Sequence, residues 1–229
     1  MPVFQLTDNI VFPHPDLAED SGLLAVGGDL SPERLIKAYS NGIFPWYSEG
    51  DPILWWFTAP RLVLFPNELR VSKRLARTIR KQPFEISFDR DFEQVIHNCA
   101  SCRTKKGEET WIINEMQNAY IELHRRGYCH SVECWQKGLL AGGLYGVLID
   151  KVFFGESMFT RITDGSKIAF VALIEHLKRI GVQLVDCQMT TEHLLRFGAR
   201  EVEGKTFQQL LDKYIQSSNP DGRWTNEQK

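Results

Sequence analysis

No apolar run in this chain approaches the roughly 20 residues needed to span a bilayer. The opening Met1-Pro2-Val3-Phe4-Gln5-Leu6-Thr7-Asp8 also lacks a basic stretch leading into an apolar core. A helical membrane protein and a secretory precursor are thereby excluded as expectations, and a cytoplasmic location is expected instead. Cysteine is scarce too: five among 229 residues, an odd number scattered from Cys99 to Cys187. That pattern makes no disulfide framework and suits a reducing compartment. The formal charge of −2 leaves no global pull toward nucleic acid, so such a partner has to rest on a local patch. No internal repeat is visible.

What the chain does have is core material. Hydrophobic residues make up 43% of it, with fourteen Phe and six Trp, enough for one large domain or a large and a small one. The first sixty-odd residues are rich in Pro, Gly and aromatics, and read as short strands and tight turns around one helix. Ser31 suits that helix as its cap, Pro32 as its first residue, Glu33 as an acid at the positive end and Gly42 as its stop. From about Leu64 helices and strands alternate. Helices are predicted at 69–81, 90–100, 112–126, 165–180, 190–197 and 206–216, with Gly127 and Gly181 as stops. Strands are predicted at 129–135, 139–148, 151–159 and 182–188, with a turn at Ile149-Asp150-Lys151. The result is an α+β chain: a mixed sheet with flanking helices (65–229) behind a small amino-terminal α+β domain (1–64). From Ser218 onward the sequence reads as a polar tail.

Two of those strands carry chemistry. Gly155-Glu156-Ser157-Met158-Phe159 and Asp186-Cys187-Gln188 place acidic and amide side chains in otherwise apolar runs. Strand alternation predicts that Phe154, Glu156 and Met158 share one face, and likewise Leu184, Asp186 and Gln188. A carboxylate there has to pair with a cation or face a solvated pocket. Cys187 lies between Asp186 and Gln188, and alternation turns it away from both. A covalent acyl-enzyme through its thiol therefore lacks a base.

A second constellation is cationic. Arg70, Lys73, Arg74, Arg77, Arg80 and Lys81 recur at helical spacing, with Val71, Leu75 and Ile79 on the other face. Such a stripe is either a solvated face or a surface that tracks phosphates. Cys99-Ala100-Ser101-Cys102 has the spacing of half a zinc site, with Cys129, His130 and Cys134 as conceivable partners. No second tight pair completes it, so free buried thiols and no metal are expected. Gly142-Gly143-Leu144-Tyr145-Gly146 lacks the lysine and the strand-to-helix setting of a phosphate loop, and reads as a bulge or a close backbone contact.

Taken in order, Gly22 to Pro32, Gly42-Ile43-Phe44-Pro45-Trp46, Asp51 to Trp56, Thr110-Trp111-Ile112, His130-Ser131-Val132-Glu133, Gly142 to Gly146, Gly155 to Phe159, Ser166-Lys167 and Asp186-Cys187-Gln188 resemble the leucyl/phenylalanyl-tRNA-protein transferase family. The resemblance implies a GNAT-type acyltransferase domain and transfer of Leu, Phe and less readily Met. The donor would be aminoacyl-tRNA, the acceptor a protein beginning with Lys or Arg, and the purpose degradation by the bacterial N-end rule in the cytoplasm. By position it implies a donor pocket of Trp46, Trp111, Leu144, Phe153, Met158, Leu173 and Val185. It places the tRNA on the basic stripe, and Glu156, Asp186 and Gln188 at the reacting atoms. The donor ester is already activated and an α-amine has a pKa of about 7.7–8.0, so neither cofactor nor metal is needed. Two other functions fit parts of the chain. An acetyl-CoA-dependent N-acetyltransferase would need a glycine-rich pyrophosphate loop, where only Arg161-Ile162-Thr163-Asp164-Gly165 stands. A noncatalytic RNA-binding module would leave Glu156, Asp186 and Gln188 without purpose.

Overall fold

Ser31 and Pro32 open the first helix as the sequence predicts. The Ser31 hydroxyl accepts the Arg34 amide at 3.4 Å, and α1 runs Pro32–Ser40 before Gly42 turns the chain at φ +73°. The structure, a computed structural model, describes residues 3–104, 110–220, 222 and 224, and no side chains at 103 and 104. Strands β1 (Phe4–Leu6), β2 (Leu23–Gly27), β3 (Phe44–Pro45) and β4 (Leu54–Trp56) form a small sheet around α1, in the order β1-β2-β4-β3. Arg34 is fully buried and ties the amino-terminal segment to this unit, donating to the Thr7 carbonyl at 2.8 Å and to Asp29 at 3.2 Å.

The remaining strands make a seven-stranded sheet in the order β11-β5-β10-β9-β8-β7-β6. They are β5 (Arg61–Leu64), β6 (Glu85–Phe88), β7 (Cys129–Gln136), β8 (Leu139–Ile149), β9 (Val152–Thr160), β10 (Leu184–Gln188) and β11 (Arg200–Val202). The four predicted strands are all present. Strands β5, β6 and β11 were not predicted; at three or four residues each they are too short for a clear alternation signal. Six helices accompany the sheet: α2 (Lys73–Arg80), α3 (Phe92–Thr104), α4 (Asn114–Arg125), α5 (Gly165–Arg179), α6 (Glu192–Leu195) and α7 (Gly204–Tyr214). Predicted helix 69–81 is shortened to α2 because the Ser72 hydroxyl caps it, accepting the Leu75 amide at 3.2 Å. Predicted helix 190–197 keeps only the short α6, capped by Thr191. Gly127 and Gly181 stop their helices at positive φ as expected.

The two faces of the sheet bury different clusters. Leu144, Phe153, Phe170, Leu173 and Val185 pack on the face covered by α5, in a cluster that also holds Leu75 of α2. Tyr145, Phe154 and Phe159 pack on the other, with Tyr39 of α1, Val95 of α3 and Tyr120 of α4. Every pairing in the large sheet is antiparallel except β9 with β10. That parallel pair runs only from Leu184↔Val152 to Asp186↔Phe154.

Beyond this point both strands are bulged. The β8–β9 register jumps so that Tyr145 faces Ser157 while Gly146 faces Gly155, leaving Glu156 as the extra residue. Phe154 and Met158 therefore lie on opposite faces, which corrects the expectation that they share one. On β10 the register with β5 shifts between Asp186 and Gln188, and Gln188 takes φ +55°. Gly146 is needed on β8 opposite the β9 bulge. A Cβ there would stand 2.3 Å from the Phe154 carbonyl oxygen and 2.5 Å from Phe153 Cζ. We expect Gly146→Ala to lower stability by about 1–3 kcal/mol, measured by denaturant melts, because a well-packed interior resists one added methyl.

Candidate active site

The paired bulges open the sheet where β9 and β10 part, and a cavity of about 360 Å³ occupies the opening. Trp46, Trp111, Leu144, Phe153, Met158, Leu173 and Val185 all line it. The side chains come from both faces. Leu144, Phe153, Leu173 and Val185 form an apolar end on the α5 side, where Met158 also packs. Trp111, Tyr145 and Phe44 border it from the side of the small sheet.

Glu156 and Gln188 stand where these two halves meet. Gln188 Nε2 donates to Glu156 Oε1 at 3.1 Å, Tyr39 donates to the same oxygen at 2.7 Å, and Tyr120 donates to Oε2 at 3.0 Å. The two tyrosine hydroxyls also contact each other. Burial pushes the Glu156 carboxyl up to about 7, even though three donors favour its charged form; the nearby Asp186 charge adds to the rise. Burial, and then the Glu156 charge, pushes both tyrosines well above their ordinary range, so they remain donors.

Asp186 is fully buried and does not line the cavity. Its carboxylate receives Arg61 Nε at 2.8 Å, Arg61 Nη2 at 2.7 Å and the Gln188 backbone amide at 2.9 Å. Arg61 is also fully buried. Its guanidinium lies 4.7 Å from the Phe207 ring centroid and 4.9 Å from that of Phe44, and Nη2 donates to the Gly42 carbonyl at 3.0 Å. Asp186 is thus a neutralised anchor beneath Gln188. Arg61, Tyr39 and Tyr120 were not singled out in the sequence. The requirement that Asp186 find a cation pointed toward a residue like Arg61, which opens an otherwise apolar strand.

Cys187 also lines the cavity, packing with Val185 on the α5 face as alternation expects, because the cavity is lined from both faces of the sheet. Burial pushes its thiol well above the ordinary range, so it offers no thiolate. Gly142 and Gly143 make close backbone contacts, the former against Gly165 of α5 and the latter against the Val132 carbonyl, as expected for that run. Cys99, Cys102, Cys129 and Cys134 are not joined in disulfides. Among the described residues the group spaced for a metal is Asp89, His124 and His130, without a cysteine.

The six cations of the basic stripe are all exposed, while Leu75 is buried and Val71 and Ile79 pack against the same apolar cluster. Only Lys73, Arg74, Arg77 and Arg80 lie on α2 itself. Arg70 precedes its cap, its amide held by the Phe197 carbonyl, and Lys81 closes the helix. Arg74 approaches Asp164 at 3.9 Å.

The family model described as leucyl/phenylalanyl-tRNA protein transferase matches residues 63–212, and its amino-terminal-domain counterpart matches residues 28–58. The chain belongs to the leucyl/phenylalanyl-tRNA-protein transferase family. Among its relatives, a leucyl/phenylalanyl-tRNA–protein transferase of Syntrophobacter fumaroxidans is 57% identical over 94% of this chain and 92% of its own length. One from Desulfotalea psychrophila is 54% identical over 98% and 99%. Of solved structures, FemX is similar with a TM-score of 0.49 at 7% identity, covering 78% of this chain and 70% of FemX. A GCN5-related N-acetyltransferase from Kribbella flavida is similar with a TM-score of 0.37 at 12% identity, covering 74% and 60%. The transferase family makes this chain an aminoacyltransferase, moving leucine or phenylalanine from tRNA to protein. Among the described residues no helix is long and apolar enough to cross a membrane.

Proposed function

We propose that the cavity between β9 and β10 holds the aminoacyl end of the charged tRNA, and that Gln188 and Glu156 meet the acceptor amine at its polar end. The supporting observation is the single cavity that joins an apolar end to a hydrogen-bonded Gln188–Glu156 pair. The donor side chain enters the apolar end, against Leu144, Phe153, Met158, Leu173 and Val185. Trp46 and Trp111 supply aromatic surface for the terminal adenosine. An apolar pocket separates side chains differing by one methylene by only about 1–3 kcal/mol, so Met is accepted beside Leu and Phe.

The reaction is aminolysis of an ester. The acceptor nitrogen attacks the carbonyl carbon, the new C–N bond forms as the ester C–O bond breaks, and the ammonium proton ends on the leaving ribose oxygen. With Nε2 committed to Glu156, Gln188 has its amide oxygen left to accept an N–H of the amine and orient its lone pair. Glu156, near 7, is the carboxylate poised to take the amine proton at neutral pH. Asp186 acts through Gln188, fixing its backbone, and is a positioning residue. A Glu156 carboxylate facing the cavity also favours acceptors that begin with cationic Lys or Arg. The amino-terminal unit, divided from the rest ahead of β5, contributes the Trp46 wall. The setting is the bacterial cytoplasm, where such tagging feeds the N-end rule.

The test is transfer of labelled leucine from Leu-tRNA to a peptide beginning with Arg and to the same peptide beginning with Asp. Labelling of the Arg peptide alone is expected. Labelling of neither, with tRNA still bound, would replace transfer with RNA binding. The tRNA body lies across the exposed stripe of Arg70, Lys73, Arg74, Arg77, Arg80 and Lys81, held through phosphates. Arg77→Glu with Arg80→Glu is therefore expected to raise the KM for tRNA at least tenfold and to flatten its salt dependence, leaving kcat near the wild-type value. An unchanged KM would move the tRNA to another face.

A further inference from the structure

The carboxy-terminal segment was expected to be a polar tail, yet Trp224 is buried, only 4% exposed. Its indole fills an aromatic slot. It stacks on His130 at 4.3 Å between ring centroids and 16° between planes, and meets His176 edge-on at 4.6 Å and Phe88 at 6.0 Å. His130 is held in turn by Asp89, 2.7 Å from its Nδ1. The fourth neighbour is Phe153, whose ring lies 6.1 Å away and nearly parallel, at 13°.

Phe153 is the one of these neighbours that lines the cavity, and Trp224 itself does not. Another edge of the Phe153 ring is closed by Gly146, where a Cβ would come within 2.6 Å of two ring carbons. The ring thus has no free space on the Gly146 side, and its nearly parallel neighbour is a residue about seventy positions later in the chain. We propose that Trp224 is a positioning residue that sets the size of the donor side-chain end of the cavity by holding Phe153 forward. This inference rests on the cavity being the donor site.

Removal of the indole leaves a void into which Phe153 can retreat, because packed interiors relax into cavities only in part but in that direction. The apolar end then grows, which favours the larger donor. Trp224→Ala is expected to raise the ratio of kcat/KM for Phe-tRNA over Leu-tRNA at least threefold, mainly through a higher KM for Leu-tRNA. A merely structural role would lower the melting temperature and the active fraction while scaling both donors alike. Trp224→Phe, which keeps a flat ring in the slot, is expected to restore the ratio to within about twofold of wild type. Should Trp224→Ala fail to fold, Trp224→Leu fills the slot without stacking and is expected to shift the ratio in the same direction. A ratio that is unchanged or falls in Trp224→Ala, or in Trp224→Leu where the alanine variant does not fold, overturns the proposal. A wild-type enzyme that transfers neither amino acid defeats the transfer reading itself, and an active Trp224→Ala or Trp224→Leu enzyme with the wild-type ratio defeats only the role of Trp224.

Discussion

Replacing Arg61 by alanine is expected to cost about 3–5 kcal/mol of stability and to reduce transfer to background, because it leaves a fully buried Asp186 carboxylate without its cation. Asp186→Ala strands the guanidinium instead and is expected to fall in the same range. It also removes the acceptor of the Gln188 amide. Stability and activity separate in the double variant Arg61→Met, Asp186→Leu. A buried ion pair replaced by apolar groups of similar volume is often close to neutral in stability, so this protein should melt near the wild-type temperature. It should still not transfer, since no acceptor holds Gln188 at its positive φ. Thermal melts with single-turnover transfer decide the matter. A double variant that is stable and active would show that the pair serves the fold and nothing at the site.

The second large effect is a pH limb. With Glu156 near 7, the ionised form that accepts a proton grows between about pH 6 and 8, and transfer should rise with it. Glu156→Gln is expected to lower the rate by about 100-fold or more. It should also remove the component near 7, leaving only the titration of the acceptor amine at about 7.7–8.0. The same group leaves a signature on stability. Its ordinary value is 4.5, so below that pH both the folded and unfolded states carry the proton. Between 4.5 and about 7 the unfolded chain ionises first, so stability falls as pH rises through that window, by roughly 3 kcal/mol in all. The Gln variant should lose this slope. A wild-type protein whose stability stays flat from pH 4.5 to 7 would place the Glu156 carboxyl at its ordinary value and remove it as the base.

Long periodic segments were legible in the sequence: α5 starts where it was expected to, and β7 to β10 appear within about two residues of their expected bounds. Strand alternation was the wrong tool for the site itself. It assumes an unbroken pleat, whereas the bulges at Glu156 and Gln188 bring those two side chains together and send Met158 to the face opposite Phe154. Gly155 is the one residue there whose presence in a strand signals a bulge, and Cys187-Gln188 carries no such signal. The seven cavity residues were named from the family resemblance, and the sequence alone offered no reason for them to converge. Tyr39 and Tyr120 were invisible for a plainer reason. Each sits at an ordinary core position of its helix, and its hydroxyl acquires meaning only when β9 delivers Glu156 to it. Trp224 was missed because one aromatic in a polar stretch carries no periodicity.

The gap between β9 and β10 has a consequence for how this enzyme can diversify. Because the cavity is lined from both faces of the sheet, the wall proposed to measure the donor side chain and the wall proposed to receive the acceptor amine belong to opposite layers, built from different stretches of chain. Changes at Leu144, Phe170 or Leu173 can retool the fit to another apolar amino acid while Glu156, Tyr39 and Tyr120 stay untouched. The two substrate preferences can therefore drift independently, and descendants with a new donor need not relearn how to receive an amine.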